Sequence, residues 1–148
     1  MALISFTKMH GLGNDFVVID NRQQGYEFSK TQLQTLADRH FGVGCDQILF
    51  IENTALDQVD FKYRIFNADG SEVQQCGNGA RCFACYVTEK GLTDKKTLAV
   101  ETLSGLIYLY LEKSNDNLSY VRVNMGPPDF APEKLPFLVS DNSSIKKN

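Results

Sequence analysis

Alternating apolar and polar positions recur along the chain at the spacing of half-buried β-strands. The clearest runs are residues 59–65 and 107–111, where every second side chain is apolar. Successive side chains of a strand point to opposite faces, so this pattern predicts strands with one buried face. Further strands are expected at 3–9, 16–20, 47–52, 97–103 and 118–124, separated by turns that contain Gly, Asn and Asp.

A capping box marks the start of a first helix. Ser29 is followed three residues later by Gln32, so two side chains can satisfy backbone N–H groups that a helix start leaves unpaired. The next residues share one face of that helix: Leu33, Leu36, Ala37 and His40. We therefore expect an amphipathic helix on the outside of a sheet, with His40 as a structural residue on its face.

A second helix is apolar on nearly all sides. Over residues 78–90, Arg81 is the only charge before Glu89, and Gly91 is a natural C-terminal stop. A short helix of this kind must be enclosed on most sides, and a sheet that curls around it achieves this most simply. The expected fold class is α+β, with a mixed, mostly antiparallel sheet of about seven or eight strands rolled around a central buried helix.

Composition favours one globular domain followed by a linker. The 148 residues are 43% hydrophobic and 22% charged with a net charge of -3, which excludes a disordered or collagen-like chain. All four prolines come after Gly126, and residues 140–148 are polar. We expect a single domain over residues 1–126 and a Pro-rich inter-domain linker with a polar tail over residues 127–148.

Charge and cysteine content restrict the partners and the compartment. The acidic balance and the lack of a long Lys/Arg run argue against nucleic acid, and no apolar run in the sequence is long enough to span a membrane. Residues 1–7 lack the pattern of a signal peptide, so we expect a cytoplasmic protein with reduced cysteines. A small molecule or another protein is the expected partner.

Residues 66–82 carry the most informative chemistry. Cys76 precedes the second helix, where unpaired N–H groups and the positive end of the helix dipole favour a thiolate over a thiol. Gly77 and Gly79 have no Cβ, so a ligand can approach the backbone and a carboxylate can bind its N–H groups. Asn78 adds an amide that can donate to an anion or accept from an ammonium group. A tight turn with a packed thiol would also fit these residues.

Four motifs resemble those of a known family, and they occur in that family's order. They are GLGNDF at 11–16, GVGCDQ at 42–47, FNADGS at 66–71 and CGNGARC at 76–82. Together they resemble diaminopimelate epimerase, through nearly all of residues 3–130. The resemblance covers the N-terminal half of that family's chains.

The resemblance implies an enzyme without pyridoxal phosphate that interconverts LL- and meso-2,6-diaminopimelate, on the route to lysine and bacterial cell-wall peptide. One cysteine thiolate removes the α-proton, and a second cysteine on the opposite face returns a proton. Cys76 matches the first of these cysteines. The residues that match substrate-binding positions are Asn14, Gln47, Asn67, Gly77 and Asn78. No cofactor or metal is expected, and the family implies a homodimer.

In the family that the chain resembles, the second half of the active site belongs to a C-terminal domain. The second catalytic cysteine and the residues that hold the α-amino group match nothing in this chain, because Cys45, Cys82 and Cys85 do not correspond to them. We therefore expect one half of an active site, inactive or nearly so as an epimerase without its partner domain.

Cys82 and Cys85 form a C-x-x-C pair, a spacing that also occurs in structural zinc sites and in dithiol redox sites. Structural zinc needs four ligands, and the sequence offers no second pair at that spacing. Dithiol redox chemistry needs an exposed first cysteine, whereas Cys82 is more than a turn inside the second helix. We expect both thiols to pack in the core.

Four further side chains have open roles. His10 could line the pocket or be an ordinary satisfied histidine. Arg81 could bind a substrate carboxylate, but we favour a structural role in which it bridges strand carbonyls or pairs with an acidic side chain. Asp69 and Glu72 are expected to be turn and surface residues, although Glu72 could reach the site.

Two other function classes fit the same sequence. A related cofactor-independent isomerase acting on another substrate is the nearer alternative. The farther one is a non-catalytic module that self-associates through the concave surface around Cys76 or through a sheet edge.

Overall fold

One mixed sheet and two helices make up the computed structural model, which describes residues 3–74, 76–113 and 119–124. The strands are β1 (Thr7–Gly11), β2 (Asn14–Asp20), β3 (Gln47–Glu52), β4 (Phe61–Asn67), β5 (Glu72–Val73), β6 (Thr97–Thr102), β7 (Gly105–Lys113) and β8 (Ser119–Asn124). The helices are α1 (Lys30–Ala37) and α2 (Gly77–Glu89). The predicted α+β class is confirmed.

The strand order places the starts of β2 and β3 beside the end of β4, all at one end of the sheet. The order is β1-β2-β3-β4-β6-β7-β8, with β5 paired to β4. β2 and β3 are parallel, as are β4 and β6, and the other pairings between described strands are antiparallel. Because β4 runs antiparallel to β3, it ends where β2 and β3 begin. The prediction of a mixed, mostly antiparallel sheet is confirmed.

The sheet encloses α2. Seven residues of this helix are buried: Gly79, Ala80, Cys82, Phe83, Ala84, Tyr86 and Val87. All of them except Gly79 form one cluster with inward-facing side chains of β2, β3, β4, β6 and β7. The Phe83 ring has no exposed surface and packs 5.6 Å from the Phe61 ring and 5.3 Å from the Tyr63 ring, measured between centroids. The predicted central helix is therefore confirmed.

A capping side chain marks the start of α2, and a glycine with positive φ marks its end. Its N-cap is Cys76. At its C-terminal end Gly91 has a φ of 65°, which favours glycine, and the N–H of Leu92 donates to the Val87 carbonyl at 2.8 Å. The predicted stop at Gly91 is confirmed.

α1 covers the other face of the sheet. Its Leu33 and Ala37 pack with alternate residues of β2 and β3, so these two strands are buried on both faces. The capping box is present, since the N–H of Gln32 donates to Ser29 Oγ at 3.3 Å and the N–H of Ser29 donates to Gln32 Oε1 at 2.8 Å. The predicted amphipathic helix is confirmed.

The prediction for His40 is wrong. α1 ends at Ala37, and His40 lies in an exposed turn after the helix. The Asp38 carboxylate accepts from the N–H of His40 and turns the chain there, while residues 43–45 fold back and donate to the Leu36 and Ala37 carbonyls. The end of α1 is thus capped by its own following loop.

The first strand also differs from its prediction. It covers Thr7–Gly11 instead of residues 3–9, because the hairpin ladder with β2 runs only from Thr7 opposite Val18 to Gly11 opposite Asn14. The predicted linker and tail at 127–148, and the boundary at 126, lie outside the described residues. Among the described residues, no helix is both long and apolar enough to cross a membrane.

Candidate active site

Three side-chain amides meet at the end of the sheet where β2 and β3 begin and β4 ends. Asn14 and Gln47 are the first residues of β2 and β3, and Asn67 is the last residue of β4. The antiparallel register places Gln47 opposite Asn67, and Gln47 Nε2 donates to Asn67 Oδ1 at 2.9 Å. Asn14 Nδ2 donates to Gln47 Oε1 at 3.3 Å. The amides therefore form one hydrogen-bonded row.

Cys76 lies against Asn14 and Gln47 of this row. As the N-cap of α2 it has extended backbone angles, φ -149° and ψ 109°, which turn its side chain back over the first helical turn. Its Sγ accepts from the N–H of Gly79 at 3.3 Å, and its S–H donates to Gln47 Oε1 at 3.4 Å. Asn14 Nδ2 lies 3.9 Å from the same sulfur. The half-buried sulfur thus faces two N–H donors and one carbonyl acceptor.

The first turn of α2 offers free backbone donors beside the sulfur. Within the described part of the chain, the N–H groups of Gly77 and Asn78 have no acceptor, and both residues are partly exposed. Such groups, together with the positive end of the helix dipole, bind anions. A carboxylate held there would place its neighbouring carbon close to Cys76.

Gly79 lets the helix start lie against the sheet. A Cβ on this residue would come 2.5 Å from Ile65 Cδ1 and 3.4 Å from Phe16 Cε1. Any side chain at this position would therefore displace either the Ile65 side chain or the first turn of α2. The glycine-rich sequence around Cys76 thus serves close packing as well as ligand access.

Arg81 contacts the site through Asn78. Its Nη2 donates to Asn78 Oδ1. The prediction that Arg81 bridges strand carbonyls or pairs with an acidic side chain is therefore wrong, since neither contact is present among the described residues. The helical spacing i, i+3 explains the contact that it makes instead.

Glu72 does not reach Cys76. It lies on β5 and accepts from Arg64 Nε at 2.8 Å and from Arg64 Nη2 at 2.9 Å. Asp69 is an exposed turn residue that accepts from Ser71, which confirms the turn prediction. His10 is an exposed residue of β1.

The other three cysteines are poor bases at neutral pH. Burial raises the pKa of Cys82 to about 11, and it raises the pKa of Cys45 and of Cys85 above the ordinary value. Cys45 packs in the cluster under α1, while Cys82 belongs to the core around α2 and Cys85 is half-buried. The core-packing interpretation is confirmed for Cys82.

Charged residues next to the amide row were not predicted. Arg39 Nη2 donates to Asp15 Oδ1 at 2.7 Å and to Asp46 Oδ1 at 2.9 Å, and Lys8 Nζ donates to Asp15 Oδ2 at 2.7 Å. The Arg39 guanidinium, aided by Lys8, holds the pKa of Asp15 well below its usual range. Because Asp15 follows Asn14 and Asp46 precedes Gln47, this cluster ties together the two strand starts that carry site amides.

The sequence contains only weak signals for that cluster. Each carboxylate adjoins a predicted site residue, but the pairing of Arg39 with Asp15 joins residues 24 positions apart in the chain. Among the described residues, no group of three or more His, Cys, Asp or Glu side chains is arranged to hold a metal ion.

Comparison with solved structures identifies the fold. A hydroxyproline epimerase from Agrobacterium vitis has a TM-score of 0.63 and 13% identity, over 80% of this chain and 40% of that one. A phenazine biosynthesis protein of the PhzF family from Bacillus anthracis has a TM-score of 0.60 and 19% identity, over 81% of this chain and 38% of that one. The curled half-barrel around α2 is thus an architecture that about two fifths of each of these proteins shares.

Comparison with curated sequences is more specific. The diaminopimelate epimerases of Nitrosospira multiformis and Aromatoleum aromaticum are both 56% identical, over 95% and 96% of this chain and 49% and 50% of their own length. That of Acinetobacter baumannii is 50% identical over 97% of this chain and 50% of its own. The chain spans about half the length of these relatives. The family model for diaminopimelate epimerase matches residues 6–131, and the chain belongs to the diaminopimelate epimerase family.

Proposed function

We propose that this chain supplies one half of the active site of a pyridoxal-phosphate-independent diaminopimelate epimerase. The reaction is the interconversion of LL- and meso-2,6-diaminopimelate by proton transfer between two cysteines, in lysine and peptidoglycan precursor biosynthesis. The observation that carries the proposal is the position of Cys76, whose sulfur caps α2 beside two backbone N–H groups that have no acceptor among the described residues.

In the proposed reaction Cys76 exchanges the α-proton on one face of the substrate. The thiolate takes the proton, so an S–H bond forms while the C–H bond breaks, and the electron pair moves toward the α-carboxylate. An α-C–H group is a very weak acid, and the negative charge on that carboxylate must therefore be stabilised in a site that excludes water. The N–H groups of Gly77 and Asn78 are suited to this, since they are already oriented before the charge develops.

Inversion requires a second base on the opposite face of the α-carbon. Cys76 approaches from one side only, and the raised pKa values of Cys45, Cys82 and Cys85 make them unsuitable. We therefore assign the second cysteine to the half of the enzyme that this chain does not span. The chain alone is expected to give no inversion at an enzymatic rate.

The remaining contacts with substrate are assigned to the amide row. Asn14, Gln47 and Asn67 are partly exposed and offer both donors and acceptors, which suits an amino acid carrying ammonium and carboxylate groups. We place the reaction in the cytoplasm, where the four free cysteines stay reduced, and propose that the complete enzyme is a homodimer.

A chimeric enzyme tests the proposal. Residues 1–131 of this chain are joined to the C-terminal half of the 56% identical relative from Nitrosospira multiformis, and formation of meso-diaminopimelate from the LL isomer is followed. The chimera is expected to epimerise, and Cys76→Ala to lower kcat by about a hundredfold or more, the usual contribution of a general base.

The matched control is Cys85→Ala, which removes another thiol from α2 and is expected to retain activity. A Cys76→Ala chimera as active as its parent would disprove the assignment of the base.

A further inference from the structure

A row of hydrogen bonds continues from Cys76 past the amides to a carboxylate. Gln47 Nε2 donates to Asn67 Oδ1 at 2.9 Å, and Asn67 Nδ2 donates to Ser71 Oγ at 3.2 Å. Ser71 Oγ in turn donates to Asp69 Oδ1 at 2.5 Å. The row therefore connects an exposed carboxylate to the acceptor of the Cys76 S–H group, Gln47 Oε1.

The carboxylate sets the direction of every bond in this row. An ionised carboxylate only accepts, so the single hydroxyl proton of Ser71 is committed to Asp69. Ser71 Oγ can then only accept from Asn67, which must turn its NH₂ group toward Ser71 and its oxygen toward Gln47. Gln47 must in turn donate its NH₂ group to Asn67, which leaves its oxygen facing Cys76. Hydrogen bonds from Ser71 lower the pKa of Asp69, so it stays ionised at neutral pH.

The turn that carries Asp69 and Ser71 is held in place by α1. The N–H of Asn67 donates to the Ser71 carbonyl at 2.8 Å, and Gln34 Nε2 of α1 donates to the Asp69 carbonyl at 3.0 Å. Gly70 has a φ of +77°, and a Cβ on it would lie 2.8 Å from Lys30 Cγ. The turn is therefore fixed both by its own ladder and by the helix behind it.

We propose that Ser71 and Asp69 are positioning residues that keep a carbonyl oxygen, and not an NH₂ group, against the sulfur of Cys76. A carbonyl oxygen accepts from the thiol and repels the thiolate, whereas an NH₂ group would stabilise the thiolate. The sulfur thus faces a carbonyl acceptor that the row holds in place, as well as a donor, the Gly79 N–H.

This balance matters for a two-base reaction. One base must begin as a thiolate and the other as a thiol, and the roles exchange when the reaction reverses. A Cys76 held too firmly in either form would slow one direction. This consequence rests on the proposed function, but the hydrogen-bond row and its effect on the thiol do not.

The test is the pH dependence of Cys76 alkylation in the full chain. Iodoacetamide is used between about pH 5 and pH 10, and modification at Cys76 is separated from that of the other cysteines by peptide mass spectrometry. Ser71→Ala removes the acceptor for Asn67, so Asp69 and Ser71 no longer fix the orientation of the Asn67 and Gln47 amides, and only the contact with Asn14 still orients Gln47. We expect the pH of half-maximal rate to fall by about one unit, so that alkylation below that pH is about tenfold faster.

Two controls accompany this variant. Ser71→Thr keeps the hydroxyl and is expected to retain the parental profile. Ser5→Ala removes an exposed hydroxyl near the other end of α2, beside Tyr86 and Lys90, and is also expected to have no effect. A loosened structure would change the plateau rate through access to the sulfur, whereas reorientation of Gln47 moves the midpoint.

A midpoint that stays unchanged in Ser71→Ala, or that moves to higher pH, overturns the inference. If Ser71→Ala does not fold, Asp69→Ala decides, because it releases the Ser71 hydroxyl to donate to Asn67 and should move the midpoint the same way. Alkylation needs neither substrate nor a second domain. The inference can therefore fail while the proposed epimerase activity stands, and the reverse also holds.

Discussion

Gly79→Ala tests how closely the catalytic helix must approach the sheet. The added Cβ would lie 2.5 Å from Ile65 Cδ1, far inside van der Waals contact. Ile65 is 1% exposed and belongs to the core around α2, so its terminal methyl group can move only by displacing other core side chains or by filling a gap within the core. Either Ile65 leaves its preferred rotamer or the first turn of α2 moves away from the sheet.

Two opposing effects set the magnitude. Replacing a helical glycine by alanine gains at most about 1 kcal/mol, because the unfolded chain loses freedom. Forcing a methyl group into a packed core costs about 1–3 kcal/mol. The steric effect is larger, so Gly79→Ala should lower the free energy of unfolding by about 1 kcal/mol. The shift should also draw the Gly79 N–H away from the Cys76 sulfur.

Urea unfolding of a double-mutant cycle with Ile65→Val provides the assay. Ile65→Val removes the clashing Cδ1 atom and alone costs about 0.5–1.5 kcal/mol. In that background Gly79→Ala should be neutral or stabilising, which gives a favourable coupling of about 1–2 kcal/mol. The reasoning is refuted if Gly79→Ala is as stable as the parent, or if the two substitutions simply add.

Three further predictions follow from particular contacts. Ser29→Ala removes the capping box of α1 and should lower the free energy of unfolding by about 1 kcal/mol in a urea titration; an unchanged midpoint would contradict the cap's role. Iodoacetamide at pH 8 should alkylate Cys76 well before Cys82, whose pKa burial raises to about 11, and equal rates by peptide mass spectrometry would contradict the burial argument. The Arg64 guanidinium holds the pKa of Glu72 below its usual value. The ion pair therefore contributes its full stability above about pH 5, and this contribution is lost as the pH falls through the lowered pKa of Glu72. Glu72→Gln should therefore lower the urea midpoint more at pH 7 than at pH 3, and an equal loss at both pH values would show that ionisation of Glu72 contributes nothing.

Features set by neighbouring residues were predictable from the sequence. The capping box at Ser29 depends on two residues three positions apart, and the apolar composition of α2 is enough to require a sheet around it. Cys76 at a helix N-terminus follows from the glycine-rich segment after it. Each of these depends on residues within one continuous segment of the chain, so the pattern and its physical chemistry were enough.

Features set by long-range pairing were not predictable. Gln47 meets Asn67 only because β3 and β4 pair in one particular register, and nothing in either segment specifies that register. The end of α1 at Ala37 has the same origin, since the loop after it returns to bond the Leu36 carbonyl and so leaves His40 off the helix. The resemblance to a family supplied the site residues without the hydrogen bonds that orient them.

Exchange of the α-proton with deuterium tests the assignment of Cys76 most directly. The chimera with Cys76→Ala is incubated in D₂O with either LL- or meso-diaminopimelate, and the α-proton signals are followed by NMR. The LL isomer has two L centres, whereas the meso isomer has one L and one D centre. With one base left, that base can remove and return a proton only on its own face, so α-protons of one configuration should exchange without inversion and those of the other should stay unchanged. Inversion in the variant, or exchange of α-protons of both configurations at the parental rate, would contradict the assignment of Cys76 as one of the two bases.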